Sequence, residues 1–179
     1  MNKRKINLTS LIFMALCCDM GIISKKLISP AANIITECIH IPGGIATTFS
    51  LMFIVIGVFL CGFFGCGTLM CLVQSIIAMV LGNSGSMGML VIVAYLVPGM
   101  VIDMSLLVHK YFIDKRTVES VALTNALAGV SAAACANVLT FGLSGPPLWL
   151  YLGVAFTTGI ICGSVASILI ERLKVPMNC

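Results

Sequence analysis

The side chains with chemical potential are few in this chain of 179 residues, and they recur at one end of successive apolar segments. Asp19 lies late in the first segment, and Glu37 and His40 follow it. Asn83 and Ser84 follow the third, Tyr95 lies in the first half of the fourth, Asn137 lies near the end of the fifth, and Trp149 and Tyr151 open the sixth. If the segments alternate in direction, these residues converge in one zone, and Glu37, His40, Asn83, Tyr95, Asn137 and Trp149 form the candidate solute-binding set. Aromatic faces and amides of this kind suit a flat heterocycle through stacking and hydrogen bonds. Glu37 with an aromatic face would suit a cation. Each residue also has a plainer reading. Trp149 and Tyr151 fit an interfacial aromatic belt, Glu37 and His40 fit a solvated loop, Asn137 fits a bond to a neighbouring helix, and Asp19 fits a pair with Lys25 or Lys26. Gln74 reads as a polar tie between helices. Asp103, in the other half of the fourth segment, reads as a structural or coupling residue rather than a ligand contact.

Catalytic patterns are absent. The chain has no H-E-x-x-H, G-x-S-x-G or Walker sequence, and no carboxylate pair at catalytic helical spacing. Two histidines and six acids spread over six segments do not suggest a metal site, and no cofactor is expected. Of nine cysteines, Cys17, Cys18, Cys61, Cys66, Cys71, Cys135 and Cys162 lie inside apolar segments, and no C-x-x-C pair occurs. Cys61, Cys66 and Cys71 recur every five residues. On a helix that step turns each by about 140° from the last, so no single ligand-bearing face results. They are expected to act as small buried hydrophobes. An enzyme built on a reactive thiol would need it in the polar zone, where Cys38 is the candidate.

What must position the polar set is a membrane-embedded helical bundle. Hydrophobic residues make up 60% of the chain and charged ones 9%, with a mean hydropathy of +1.15. Ten Lys/Arg and six Asp/Glu cannot cover the surface of a water-soluble domain this small. The formal net charge of +4 does not suggest nucleic acid. Spanning helices need about 20 mostly apolar residues, and six candidates follow one another. They are Leu8 to Ile23, tilting on toward Ile28, then Ile45 to Leu60, Thr68 to Leu81 after a break at Gly62, Gly65 and Gly67, Met87 to Phe112, Val118 to Phe141 and Leu148 to Ile170. The expected class is therefore all-α, a single six-helix membrane domain over residues 1–179. Ser29 to Gly44 is expected as an ordered loop, Asn83-Ser84-Gly85-Ser86 as a turn, and Pro98-Gly99 as a kink. The first segment is expected to be a retained helix rather than a signal peptide, because Ser24-Lys25-Lys26 stands where a small-residue cleavage site would. Small residues at Ala128, Ala132 and Ala136, and the Gly159-x-x-x-Gly163 pair, offer flat faces for close helix contact, inside the bundle or with a partner.

Orientation follows from the placement of Lys and Arg, which are retained in short cytoplasmic loops. With both termini inside, Lys3, Arg4, Lys5, Lys110, Lys115, Arg116, Arg172 and Lys174 are cytoplasmic, against Lys25 and Lys26 outside. Five or seven spans would put one terminal cluster on the wrong side.

A basic start, six apolar helices, a semi-polar stretch after the first and a Gly/Asn turn after the third together resemble the substrate-binding S component of energy-coupling factor (ECF) vitamin transporters. The likeness covers essentially the whole chain. Locally it lies in Lys5-Ile6-Asn7-Leu8-Thr9 leading into Ala15-Leu16. Ala15 matches the second alanine of the Ala-x-x-x-Ala face that meets the coupling subunit, and Leu11 stands where the first would be. Ile41-Pro42-Gly43-Gly44 and Gly82-Asn83-Ser84-Gly85-Ser86-Met87-Gly88 look most like the thiamine and hydroxymethylpyrimidine type. His40-Ile41-Pro42-Gly43 is also similar to the nickel/cobalt S components, but this His is internal, so the amine ligand is missing and metal transport is not expected. The resemblance implies capture of a vitamin-like molecule at the outer face of the plasma membrane. Thiamine or a pyrimidine precursor is favoured, with a corrinoid as runner-up. It also implies a transmembrane coupling subunit in contact with Ala15 and Cys18, two ATPase subunits, and a toppling motion. The alternative is a small secondary transporter acting without ATPases, with Asp19 or Asp103 coupling an ion gradient. The charge asymmetry generates a test. In a cysteine-depleted background, a thiol placed at Ser144 is expected to label from outside and one at Thr117 from inside; the reverse pattern would invert the topology.

Overall fold

In hydrocarbon a backbone must satisfy its own hydrogen bonds, and a helix does this within one segment. The long apolar runs of this chain take that solution. The computed structural model describes residues 8–39, 45–82, 85–112, 118–142 and 145–177. Its elements are α1 (Leu8–Ile39), α2 (Ile45–Cys61), α3 (Cys66–Val80), a short 3-10 segment (Gly85–Leu90), α4 (Val91–Phe112), α5 (Val118–Phe141) and α6 (Pro146–Met177). Three stretches, Gly88–His109, Val118–Leu139 and Pro146–Leu173, are long and apolar enough to cross a membrane. α2 and α3 are shorter apolar helices of 17 and 15 residues. Length and composition thus mark a multi-pass helical membrane protein.

One expectation needs correction. Ser29 to Gly44 was expected as a loop, yet α1 continues through Pro30 as far as Ile39, and 40–44 lie outside the described residues. Proline removes one helical N–H, but Ala31 and Ala32 follow it directly, and alanine is the strongest helix former. The break expected after the second segment is present, and it sets Cys61 on a different helix from Cys66 and Cys71. Gly62 and Gly65 adopt φ of 68° and 91°, a region open to glycine, and end α2 at Cys61 before α3 begins at Cys66.

Contacts between helices fix their directions. Gly21 and Ser10 of α1 meet Ser50 and Cys61 of α2, so the two run antiparallel. α3 and α4 do the same through Gly67 with Asp103 and Cys71 with Gly99, and α5 and α6 through Ala122 with Gly163 and Ala126 with Gly159. α2 is the central helix, in contact with all five others. Ile54, Val55, Val58 and Phe59 are wholly inaccessible, as expected of a helix that is apolar all round. The outer helices instead leave apolar side chains such as Leu16, Leu123 and Ile161 on the surface, where lipid would meet them.

The small residues act inside the bundle. A Cβ built on Gly159 or Gly163 would stand 2.5 Å from the Cα of Ala126 or Ala122, so α5 and α6 touch backbone to backbone. Gly99 of α4 does the same against Thr68 and Cys71 of α3. Ala128 and Ala132 are buried, and Ala136 is half-buried.

Asp103 has a structural role. From α4 its carboxylate accepts the backbone N–H of Gly67 (2.9 Å) and Thr68 (2.8 Å), together with the Thr68 hydroxyl. These are first-turn groups of α3, which have no partner within their own helix, and Gly65 at the N-cap has no side chain with which to serve them. A carboxylate also complements the positive end of the helix dipole. Asp103→Ala is therefore expected to lower stability by about 2–4 kcal/mol, since hydrogen bonds to charged groups contribute about 1.5–3 kcal/mol each and are not additive. Asp103→Asn should lose less. Thermal unfolding of the detergent-purified variants checks this, and an unchanged Asp103→Ala melting temperature would remove the capping role.

Candidate functional site

The face of α1 that turns into the bundle carries Cys18, Gly21 and Lys25, spaced three and four residues apart and so aligned along one side of the helix. The backbone of this face ties in two helices. Ser50 Oγ of α2 donates to the Gly21 carbonyl at 2.8 Å, and Gln74 Nε2 of α3 donates to the Cys18 carbonyl at 3.1 Å. Gly21 is required at this crossing, because a Cβ there would stand 2.5 Å from Gln74 Nε2 and 3.2 Å from Ser50 Oγ.

One turn beyond Gly21, Lys25 lines a cavity of about 170 Å³ between α1, α2, α3, α4 and α5. Its polar lining is Lys25, Thr47, Ser50, Gln74 and Tyr95. The apolar lining is Leu51, Ala94, Pro98, Ala132 and Ala136. The small side chains of Ala94, Ala132 and Ala136 leave the space open, since a larger residue at any of them would enter it. Lys25 Nζ donates to the Tyr95 hydroxyl at 2.8 Å and lies 4.9 Å from the centroid of the same ring. That distance is within cation–π range. The cavity therefore combines a positive charge, hydroxyl and amide groups, and an apolar wall.

The candidates read from the sequence are only partly brought together. Tyr95 lines the cavity. Asn137 is buried, but its Nδ2 donates to the Ala133 carbonyl one turn back on its own helix (2.8 Å) rather than to a neighbour. Trp149 is 74% exposed in the first turns of α6 and does not line this cavity. Glu37 lies on the last turns of α1 with its side chain outside the described residues, and His40 and Asn83 lie outside them altogether. Ala15 is exposed, whereas Cys18 is buried, its Sγ 3.7 Å from the Met70 carbonyl. Asp19 is exposed and six residues before Lys25, roughly 240° round the helix from it. Lys25 accordingly meets Tyr95.

Lys25 is the site residue that sequence reading missed. The charge count takes Lys25 and Lys26 together as the two outer charges. Within α1 their directions separate: Lys26 is exposed and Lys25 half-buried. The available signal was the spacing of a lysine four residues after a glycine on an otherwise apolar face. Gln74, expected as a tie between helices, is one.

No protein-family model matches this chain, and no curated protein or solved structure does so either.

The cavity itself generates a stability test. Ala136→Leu adds volume into open space and is expected to leave the melting temperature unchanged or raise it. Ala128→Leu, at a fully buried position eight residues before it on the same helix, adds the same volume to filled core and should cost about 1–3 kcal/mol. Equal losses in the two variants would mean that the space does not exist in solution.

Proposed function

We propose that this chain is the membrane-embedded solute-binding subunit of an ATP-driven uptake transporter of the ECF type, holding a vitamin-like molecule in the Lys25–Tyr95 cavity. The observation that carries this reading is a lysine turned into an apolar bundle beside an open space. Ionisable groups within membrane segments are costly and mark solute or ion pathways. The cavity lies at the end of the bundle where α1 leads to α2, α3 to α4 and α5 to α6. The Lys/Arg asymmetry supports that end as the outer one, with six spans and both termini in the cytoplasm, and the resemblance to ECF S components supports the plasma membrane as location. At about 1.5 Å per residue, α2 and α3 extend roughly 26 and 22 Å, short of a ~30 Å hydrocarbon core. Enclosure of α2 by the other helices makes its length less demanding, because its ends need not reach lipid.

The chain has no nucleotide-binding loop, so ATP hydrolysis would come from two partner subunits acting through a transmembrane coupling subunit. The exposed side of α1, where the small Ala15 stands among Leu11, Ile12 and Leu16, suits that contact. The cavity volume of about 170 Å³ favours a single-ring molecule over a corrinoid, since a cavity of about 150 Å³ holds benzene.

This reading has a direct test. The chain should co-purify with a coupling subunit. Ala15→Trp should abolish uptake while leaving solute binding by the isolated chain intact, because a bulky ring prevents close helix approach. Normal uptake by that variant would move the docking face. Ion-dependent transport by the chain alone in liposomes would replace the proposal with a secondary carrier.

A further inference from the structure

We infer that the cavity takes a small organic carboxylate, a singly charged acid on an apolar body of about one ring, with Lys25 as its counter-ion. The inference rests on the solute-binding reading above and specifies the chemistry of that site. It begins from the acids of the chain, which number six: Asp19, Glu37, Asp103, Asp114, Glu119 and Glu171. Asp19 is turned away to the exposed side of α1. Glu37 stands twelve residues beyond Lys25 on the same helix, about 18 Å along its axis. The Asp103 carboxylate is occupied at the start of α3. Glu119 and Glu171 lie at the opposite end of the bundle, as do the helix ends that flank Asp114. Among the described residues, no acid is therefore placed to neutralise Lys25.

Neighbouring Lys26 shows what an uncommitted lysine does here: its side chain is exposed and can reach the interface. Lys25 instead turns inward, half-buried, and spends one of its three donors on the Tyr95 hydroxyl. Two donors remain, and the Tyr95 hydroxyl, having accepted from Lys25, keeps its own hydrogen to donate. Together they match the two oxygens of a carboxylate. One ammonium balances one negative charge, and an uncompensated second charge in an apolar bundle would be costly. A monoanion is thereby favoured over a phosphate dianion. The same ammonium opposes the cationic ligand that Glu37 suggested in the sequence. Beyond the charge, Leu51, Pro98 and the alanines of α5 offer an apolar wall for the ligand body.

The test uses the full chain purified in neutral detergent and titrated calorimetrically with benzoate, benzamide and benzylammonium, which share a ring and differ in charge. Benzoate is expected to bind tightest. Lys25→Met should weaken benzoate roughly 10- to 100-fold, as loss of a charge-assisted contact does, and bring it level with benzamide. Lys25→Arg should keep the wild-type order. Because the order is read first in the wild type, the result does not depend on any variant folding. Benzamide or benzylammonium binding as tightly as benzoate overturns the carboxylate assignment and leaves the solute cavity standing, as does a benzoate affinity unchanged in Lys25→Met. Absence of binding by all three removes the solute cavity and the inference together. Loss of benzoate binding on adding phosphatidylglycerol would assign Lys25 to a lipid headgroup and overturn the proposal.

Discussion

Lipid tails are as apolar as the side chains of these helices, so pressing one helix against another gains little from the hydrophobic effect. Association then depends on how closely backbones can approach and on the few polar groups that find partners across helices. Both devices are visible here. Gly159 and Gly163 bring α5 against α6 at backbone contact, and Gly99 does the same for α4 against α3. The polar ties are Ser50 and Gln74 to carbonyls of α1, Asn125 Nδ2 to the Gly159 carbonyl, and Asp103 to the start of α3. Each spans two helices. Removing one loosens a crossing that dispersion alone would have to hold.

The candidate site depends on the same constraint. α1 is anchored through the backbone of Cys18 and Gly21, and that anchoring sets the rotation of the helix. Once the rotation is set, Lys25 must face the bundle, and Asp19 and Ala15 must face away from it. One helix thus separates two roles by phase: its inner side supplies the cation of the cavity, and its outer side is left for lipid or a partner. The alanines of α5 add the second requirement. Small side chains that elsewhere permit close packing here leave a space unfilled, because Leu51, Tyr95 and Pro98 hold the opposite walls apart.

How much of this was legible in the sequence varies with the kind of signal. Helix existence was plain, because a run of about 20 apolar residues has few alternatives in water or lipid; α5 runs from Val118 to Phe141 as read. Boundaries at proline were not. Pro30 suggested a loop, and the helix passes through it. Among site residues, Tyr95 was legible as a polar ring in an apolar run. Lys25 was not, because it counted with Lys26 as an outer charge, and its meaning depends on how α1 is rotated in the bundle.

The sequence by itself determined the solvent, the helical class and the small-residue faces at which helices could meet. It could not say which apolar helix is central or which side of each helix meets its neighbours. Core-facing and lipid-facing surfaces are equally apolar, so hydropathy carries no contrast between them. Only the tertiary structure put α2 in the middle, turned Lys25 inward and Lys26 outward, and assigned Gly159 and Gly163 to α5 rather than to a partner. Those choices rest on backbone approach and single hydrogen bonds across helices, which depend on the relative rotation of two segments and are written in neither one alone.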